Sequence, residues 1–380
     1  MRPEGAKYVE SRGLLLAACE EDARDDKIRA ALVIYQYGAD ESSYPAIQSV
    51  EDPDLQNGAS IPWGAMSGLA AGDGSTLYAV DDSAFKSSSI FSIDTSASPA
   101  ILFERTHITD ANGVFAALAP QGEFEAADLQ AMINEDGTVN IDSEGIAVHP
   151  EGGFFIVSEG RGTVGDEGRP IESLNFLFKT DKSGVIEKVV VLPEEVNAMQ
   201  LRFGFEGVAV EGDYVVVAFQ RAWGDEANPR IGLYNTVDES WKFVFYPLDE
   251  PESQNGGWVG LSEITAVGDG KFLVLERDNQ GGPDAAIKRI YSIDIGDLSS
   301  QEDGSLIEKT LVRDLMSDLK ATGGQTYEKL EGMALLNDEV WVMNDNDAVD
   351  DNSGETQVRP YWSRKTIDES VRCAATLTQH

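Results

Sequence analysis

Glutamate recurs at one position of a repeated segment, and such a series can bind a metal ion or activate water. The position holds serine in the first of five copies and glutamate in the others: Ser67, Glu144, Glu206, Glu263 and Glu331. A second series of polar residues lies at the end of the second strand of each copy: Asp81, Glu159, Gln220, Glu276 and Asn344. Two unit charges roughly 4 Å apart repel by about 1 kcal/mol in water and about 4 kcal/mol at an effective dielectric constant near 20. Converging carboxylates would therefore require raised pKa values, arginines or a hard cation.

The available donor atoms favour calcium as that cation. The chain has 3 histidines and 2 cysteines, but 67 aspartates and glutamates. Oxygen ligands suit Ca²⁺, with Mg²⁺ as the second choice, better than they suit zinc. The predicted metal ligands lie at the ends of the second strands and just after the last one: Asp81, Glu159, Glu276, Asn344 and Asp345.

Basic residues close to these carboxylates indicate an anionic substrate. The guanidinium fork matches the oxygens of a phosphate group. The predicted substrate-binding residues are Arg161, Arg202, Arg221, Arg277 and Lys288. Water bound to Ca²⁺ beside a carboxylate base would be the nucleophile. The predicted catalytic residues are therefore Glu144, Glu206, Glu263 and Glu331, and the predicted reaction is metal-assisted hydrolysis of a phosphate ester.

Each copy of the repeat has the pattern of a β-hairpin. The copies read MSGLAAGDGSTLYAVDD from Met66, DSEGIAVHPEGGFFIVSEG from Asp142, GFEGVAVEGDYVVVAFQR from Gly204, LSEITAVGDGKFLVLERDN from Leu261 and LEGMALLNDEVWVMNDND from Leu330. A short apolar strand leads into a turn rich in Gly, Asp or Asn, and a second strand of β-branched and aromatic residues follows. A further hairpin can be read between most copies, for example in NFLFKTDKSGVIEKVVVLP. Two hairpins make a four-stranded antiparallel unit with the size of a β-propeller blade.

The predicted fold is therefore all-β, a single propeller of five or six four-stranded antiparallel blades over residues 29–357. In a propeller the first strand of each blade lies nearest the axis, so equivalent residues form a circle at one end of the channel. The last copy has no outer strands of its own. The candidates to complete it are residues 354–358 and the N-terminal segments RAALVIYQY and PAIQSV.

From about Ser67 to Gln357 the chain resembles the phytase-like family, described as having the esterase-like activity of phytase. The resemblance rests on DSEGIAVHPEGGFFIVSEG, FEGVAV with VVVAFQ, GWVGLSEITAVGDGKFLVLERDNQ, IKRIYSID and KLEGMALLNDEVWVMNDND. It implies a secreted or periplasmic β-propeller whose acidic residues hydrolyse phosphate or other esters. The β-propeller phytases, which use calcium, are a more distant comparison. Ser67 and Gln220 depart from the repeated glutamates, which argues against a symmetric metal ring.

An alternative reading of the repeat is purely structural. The repeated glutamates would then accept backbone hydrogen bonds that hold neighbouring blades together, because ion-pair networks can mimic active sites. The protein would in that case be a non-catalytic propeller that binds a small molecule or a protein partner around a structural acidic ring.

The charge balance excludes several partner classes. The formal net charge is −38, and a surface of this sign repels nucleic acid. No run of eighteen apolar residues occurs, so no transmembrane span is expected. The chain also lacks a GxSxG nucleophile motif. We therefore expect a monomer that acts on a small-molecule ester.

The two ends of the chain are predicted to lie outside the propeller. Residues 1–28 contain the apolar run GLLLAAC up to Cys19, which resembles a bacterial lipoprotein cleavage site with Cys19 as the lipid anchor. A short core strand and a mis-assigned start are the alternatives, and a bridge from Cys19 to Cys373 is another use of the thiol. Residues 358–380 carry a net charge of +2 and are predicted to form an appendage. The predicted location is periplasmic or extracellular.

Overall fold

The structure is a computed structural model that describes residues 3–19, 31–36, 46–55, 58–321, 326–348 and 355–363. Strands dominate these residues, so the predicted all-β class is confirmed. The α-helices in the described residues are short: α1 (Ala126–Ala131), α2 (Glu194–Asn197) and α3 (Met316–Ala321). None of the described helices is long and apolar enough to cross a membrane.

Three strands near the N terminus form an antiparallel sheet of their own. They are β1 (Pro3–Val9), β2 (Leu14–Cys19) and β3 (Ala31–Gln36), in the order β1-β2-β3. The sheet takes in part of the predicted export segment, and β3 lies within the segment RAALVIYQY, where it pairs with β2 and not with the last copy of the repeat. Cys19 ends β2 and Cys373 lies outside the described residues, so a lipid anchor and a Cys19 to Cys373 bridge stay predictions.

Sheet 1 contains the first copy of the repeat. Its strands are β4 (Ile47–Ser49), β5 (Met66–Ala71), β6 (Thr76–Asp81), β7 (Ser89–Asp94) and β8 (Ala100–His107), in the order β4-β8-β7-β6-β5. Strand β4 comes from the segment PAIQSV and pairs in parallel with β8, whereas the other pairs are antiparallel. PAIQSV thus extends the outer edge of the first sheet and does not complete the last copy.

Sheets 2, 3 and 4 are the four-stranded antiparallel units expected from paired hairpins. Sheet 2 has β9 (Ser143–Val148), β10 (Phe154–Ser158), β11 (Phe176–Thr180) and β12 (Ile186–Val191). Sheet 3 has β13 (Phe205–Glu211), β14 (Tyr214–Phe219), β15 (Arg230–Asn235) and β16 (Trp241–Phe245). Sheet 4 has β17 (Val259–Gly268), β18 (Lys271–Asp278), β19 (Lys288–Asp294) and β20 (Lys309–Asp314).

Sheet 5 carries the last copy and has three strands within the described residues. They are β21 (Leu330–Leu336), β22 (Glu339–Asn344) and β23 (Val358–Ser363). Strand β23 pairs antiparallel with β22 through contacts such as Met343 opposite Val358. Residues 358–363, which the sequence assigned to the appendage, therefore form the third strand of this sheet.

The first strands of the five sheets contact one another in cyclic order. Strand β5 contacts β9, β9 contacts β13, β13 contacts β17, β17 contacts β21, and β21 contacts β5. Glycines permit this approach. A Cβ at Gly145 would lie 2.5 Å from the carbonyl oxygen of Glu206, and one at Gly332 would lie 2.8 Å from that of Ser67. The glycine after the repeated glutamate is thus needed where one first strand meets the next.

The core lies between neighbouring sheets. Each adjacent pair of sheets shares one cluster of buried apolar side chains, and the fifth sheet shares one with the first. Examples in sheet order are Val80 with Ile146, Val157 with Val208, Val216 with Leu261, Leu275 with Met333, and Leu336 with Leu77. Each sheet therefore buries both of its faces, which a single hairpin pair cannot do alone.

Candidate functional site

A β-bulge in every first strand places the repeated polar residues. In each sheet the first strand has one residue more than its partner at this point, as between Leu330 and Gly332 opposite Asn344 and Met343. A bulge re-aims a side chain, and bulges are common beside active sites. The residues at this point, here named the bulge set, are Ser67, Glu144, Glu206, Ser262 and Glu331.

The end of each second strand supplies a second set of equivalent residues. Asp81, Ser158, Phe219, Glu276 and Asn344 lie opposite the residue before the bulge. The residues that follow them, here named the partner set, are Asp82, Glu159, Gln220, Arg277 and Asp345. The predicted series Asp81, Glu159, Gln220, Glu276 and Asn344 thus combines two registers.

Glu263 lies one residue away from the bulge set, in the position that glycine occupies in the other copies. It is fully buried, and its carboxyl group accepts hydrogen bonds from the backbone N–H groups of Ile264 at 2.9 Å and Leu69 at 3.4 Å. The backbones of Val208 and Met333 also donate to it. These donors belong to four of the five first strands. Burial raises the Glu263 pKa well above its usual value, although the N–H donors oppose the shift.

Three carboxylates from sheets 1 and 2 converge in the candidate metal site. One oxygen from each of Asp82, Asp142 and Glu144 lies within 4.8 Å of the others, and all three side chains are partly exposed. Asp142 precedes β9 by one residue, and its carbonyl oxygen accepts a hydrogen bond from the Glu159 N–H at 2.8 Å. Oxygen donors at this spacing can hold a hard divalent cation.

The protonation of this site reflects crowding of negative charge. Burial, together with a hydrogen bond to Asp82, raises the Asp142 pKa well above its usual value. Burial opposes ionisation of Asp82, but the hydrogen bond from Asp142 and the field of Lys329 bring the Asp82 pKa below its usual value. Asp142 therefore holds a proton more strongly than Asp82 does. Burial and the neighbouring carboxylates also raise the Glu144 pKa.

Glu206 and Glu331 of the bulge set are held by residues of the partner set. The Gln220 amide donates to Glu206 at 2.5 Å, and Arg277 Nη2 donates to Glu331 at 2.5 Å. Arg277 Nε also donates to the Ser262 hydroxyl at 2.8 Å. Burial raises the Glu206 pKa, as do the nearby carboxylates, whereas the field of Arg277 opposes the rise. Arg277 thus places a positive charge close to Glu206 and Glu331.

Glu159, Asp345 and Lys329 complete the same electrostatic neighbourhood. Glu159 accepts the Gly204 N–H at 2.9 Å, and burial raises its pKa to about 8. Lys329 lies 3.0 Å from Asp345, and burial raises the pKa of that carboxyl to about 8 as well. Burial disfavours the charged Lys329, but the surrounding carboxylates raise its pKa above the usual value. Lys329 is therefore a fixed cation in this acidic site.

Of the predicted substrate-binding arginines, Arg161 contacts the candidate metal site, whereas Arg202 and Arg221 contact aromatic rings. Arg161 is exposed and lies 3.5 Å from Asp142, with its Nη2 donating to the Ser83 hydroxyl. Arg202 is exposed and lies 4.7 Å from the centre of the Phe203 ring. Arg221 is half-buried against Phe203 and Trp258, and desolvation lowers its pKa.

Four predicted residues serve local structure. Asp81 accepts the Ser89 N–H at 2.7 Å, and burial raises its pKa to about 8. Glu276 accepts hydrogen bonds from Tyr246 at 2.8 Å and from Lys309 at 2.7 Å. Asn344 accepts the Gln357 N–H at 2.8 Å. The fully buried Lys288 donates to Asp278 at 2.7 Å. Their polar groups are engaged inside the sheets.

Asp82, Asp142 and Lys329 are site residues that the sequence reasoning missed. A usable signal was present in the apolar residues of the copies. Aligning Leu69, Ile146, Val208, Ile264 and Met333 brings Ser262 level with the glutamates and moves Glu263 onto the glycine. The same alignment places Asp142 and Lys329 at one equivalent position, two residues before the bulge set.

A family model matches most of the chain. The family model Phytase-like, described as "Esterase-like activity of phytase", matches residues 61–348. The chain belongs to the phytase-like family. The match begins before the first copy of the repeat and ends within the acidic segment after β22, so it spans every residue of the bulge and partner sets. The resemblance inferred from the sequence is confirmed. No curated protein is similar enough to be matched with this chain.

Similarity to solved structures is distant. A glycosyl hydrolase from Bacteroides ovatus has a TM-score of 0.41 at 12% identity, over 86% of this chain and 94% of that chain. A luciferin-regenerating enzyme has a TM-score of 0.38 at 10% identity, over 95% and 94% of the two chains. The extracellular domain of a hybrid two component system from B. thetaiotaomicron has a TM-score of 0.36 at 10% identity. That match covers 94% of this chain but 32% of the other, so the chain spans about a third of its length. At these scores the similarity carries no information about function.

Proposed function

We propose that the chain is a closed five-bladed β-propeller that hydrolyses phosphate esters with the help of Ca²⁺ held by Asp82, Asp142 and Glu144. The observation that carries this proposal is the convergence of the three carboxylates. Glu144 lies in the field of Glu206 and Glu331, and these two carboxylates in turn interact with the buried Arg277. The cyclic contacts of the first strands support the closed ring.

The donor set of the proposed site fits a hard cation. Its oxygens come from carboxylates, and a bound cation would relieve the repulsion that contributes to the raised pKa of Asp142 and Glu144. Three carboxylates favour Ca²⁺, with Mg²⁺ second, over softer metals. When bound, the ion would supply positive charge that makes water more acidic and neutralises a developing oxyanion.

The chain's own residues would then divide the work. Arg277 would bind a phosphoryl oxygen, because its Nη1 is buried and has no hydrogen-bond partner among the described residues. Lys329 would oppose the protonation of the carboxylates around it. Glu206, held in place by Gln220, would accept the proton of the attacking water. Glu331 would orient Arg277.

The proposal predicts calcium binding that depends on Asp142. The EDTA-stripped protein should melt at a higher temperature when Ca²⁺ is added, by about 2.7 kcal/mol of stabilisation when the ion is at roughly 100 times its Kd. Asp142→Asn should weaken this binding at least about ten-fold, since it removes a ligand charge. Glu187→Gln, at a surface ion pair with Lys179, makes the same change in charge and should leave it unaltered.

Turnover should be measured on the same samples with 4-nitrophenyl phosphate and 4-nitrophenyl acetate. Calcium-dependent hydrolysis of the phosphate would support the proposal. Hydrolysis of the acetate alone would show that the substrates are carboxylic esters and not phosphate esters. Stabilisation without turnover of either substrate would favour the non-catalytic alternative, a module that binds a small molecule or a protein partner. The absence of any shift with calcium would contradict the metal assignment.

We also propose that the protein is an exported monomer. The observation that motivates export is the apolar run before Cys19, with periplasmic or extracellular residence and a lipid on Cys19 as the proposed outcome. Mass spectrometry of the mature N terminus tests the cleavage and lipidation that export as a lipoprotein requires. An unprocessed Met1 in cells that export lipoproteins would contradict it.

A further inference from the structure

A row of alternating arginines and aromatic rings leads from solvent to the candidate site. Arg202 lies 4.7 Å from the Phe203 ring, and Arg221 lies 4.8 Å from the same ring. Arg221 also lies 5.1 Å from the centre of the Trp258 ring. Arg277, the last residue of the row, lies 5.7 Å from the centre of the same ring. The two rings touch edge to face, with their centres 5.3 Å apart. We call these five residues the arginine column.

Sheets 3 and 4 position the column at the end of the first strands where the bulges lie. Arg202 and Phe203 lie between α2 and β13, and Arg221 follows the end of β14 by two residues. Trp258 directly precedes β17, and Arg277 is within β18. Exposure falls along the column, from the exposed Arg202 through the half-buried Arg221 to Arg277, whose side chain is 3% exposed.

The guanidinium groups of the column retain free hydrogen-bonding capacity. Among the described residues no carboxylate pairs with Arg202 or Arg221, and the buried Nη1 of Arg277 has no partner. This is unexpected in a chain with 67 acidic and 29 basic residues. Arg105, Arg230 and Arg289 pair with the carboxylates of Asp52, Glu226 and Asp249, and within the column Arg277 pairs with Glu331.

Unpaired, partly desolvated arginines are costly unless an anion completes them. A buried N–H donor without an acceptor loses the hydrogen bond that it would make with water, and a guanidinium group held against aromatic rings is preorganised to bind oxyanions through its edge. Among the described residues the guanidinium groups of Arg202 and Arg221 have no carboxylate partner, whereas Arg277, bound to Glu331 and Ser262, keeps only its buried Nη1 without a partner. The acidic surface elsewhere would repel the same anions.

We propose that the arginine column is an oxyanion-binding track that carries the phosphate group of the substrate from solvent, past Arg202 and Arg221, to the free Nη1 of Arg277. The assignment rests on the proposed function for its substrate, but the binding of an anion does not require catalysis. The ligand class is a tetrahedral oxyanion, in preference to a planar carboxylate. The oxygens of a tetrahedral anion point in several directions, so they can accept hydrogen bonds from N–H donors at different points along the column.

The test is isothermal titration of the EDTA-stripped full chain with inorganic phosphate and, separately, with acetate. Phosphate should bind more tightly than acetate. R221Q should weaken phosphate binding at least about ten-fold, and R221K should weaken it less, because lysine keeps the charge but loses the fork. R202Q should mainly slow association and reduce its dependence on salt.

Arg313 offers a matched control far from the column. It lies in β20, pairs with Asp318 at 2.7 Å and contacts the Trp362 ring at 5.1 Å. R313Q therefore makes the same change in charge and also removes a cation–π contact, and it should leave phosphate binding unchanged. Thermal melts of each variant confirm that the chain is folded.

The outcomes separate this inference from the proposed function. Phosphate binding that depends on Arg221, without turnover of any ester, would uphold the column and contradict the catalytic proposal. Ester turnover with phosphate binding that is the same in R221Q and R313Q would overturn the column. Tighter binding of acetate than of phosphate would also overturn it, because the ligand class would then be a carboxylate.

Discussion

Replacing Glu263 by glutamine separates a structural carboxyl group from a catalytic one. The Glu263 side chain is fully buried, with Oε1 accepting the Ile264 N–H and Oε2 accepting the Leu69 N–H. Glutamine has the same size but only one carbonyl oxygen. At least one backbone donor would then face an amide NH₂ group, which cannot accept its hydrogen bond.

The expected loss of stability follows from that single mismatch. An unsatisfied buried donor costs about 1–3 kcal/mol. For a chain of this length the entropy of unfolding is about 0.8 kcal/mol/K, so Glu263→Gln should lower Tm by roughly 1–4 °C. Hydrolysis measured well below Tm should change by less than about three-fold, because Glu263 is enclosed by the first strands and does not face the acidic cluster.

Glu206→Gln is the matched comparison. Glu206 is the proposed base, so its replacement should reduce kcat by about 10² to 10⁴-fold. Its Tm should hold or rise, because one carboxylate leaves a crowded acidic neighbourhood. Both variants are measured by calorimetry and by ester hydrolysis with saturating Ca²⁺. An inactive Glu263→Gln with unchanged Tm would refute the structural assignment and restore Glu263 to the catalytic residues.

Two further predictions concern the fold. Gly145→Ala should destabilise the chain by about 1–3 kcal/mol, because its Cβ would lie 2.5 Å from the Glu206 carbonyl oxygen, whereas Gly5→Ala meets no atom within 4 Å and should be neutral in the same thermal melts. Burial lowers the Lys288 pKa to about 8 from an ordinary value of 10.5, so the folded chain binds fewer protons than the unfolded chain between these pH values and its stability should rise with pH across that window. K288M should flatten the rise in urea titrations from pH 8 to 10.5, and an unchanged slope would show that Lys288 does not cause it.

The sequence predicted the sheets well because hairpin signals are local. Alternating apolar residues and turns rich in glycine and aspartate fix each pair of strands, whichever neighbours they later meet. The sequence was less informative about which segments of the chain supply the outer strands. PAIQSV pairs in parallel with β8, a contact across about fifty residues that no local pattern encodes.

The site was predicted only in part, because a bulge changes which residue points where. Glu144, Glu206 and Glu331 occupy the bulge itself, as their repetition suggested, but in the fourth copy Ser262 has that place. A one-residue shift moves a side chain to a different environment. Glu263 thereby became an acceptor for four first strands, and Glu276 became a partner of Tyr246 and Lys309.

The departures from the repeat, more than the repeat itself, account for the character of the site. A strict five-fold series of glutamates would give a ring of like charges with no place for an anionic substrate. Equivalent positions instead hold Asp82 and Glu159 in sheets 1 and 2 but Gln220 and Arg277 in sheets 3 and 4. Asp142 likewise corresponds to Lys329 in sheet 5. The carboxylates of the proposed cation site thus come from sheets 1 and 2, whereas Arg221 and Arg277, proposed to bind phosphate, come from sheets 3 and 4.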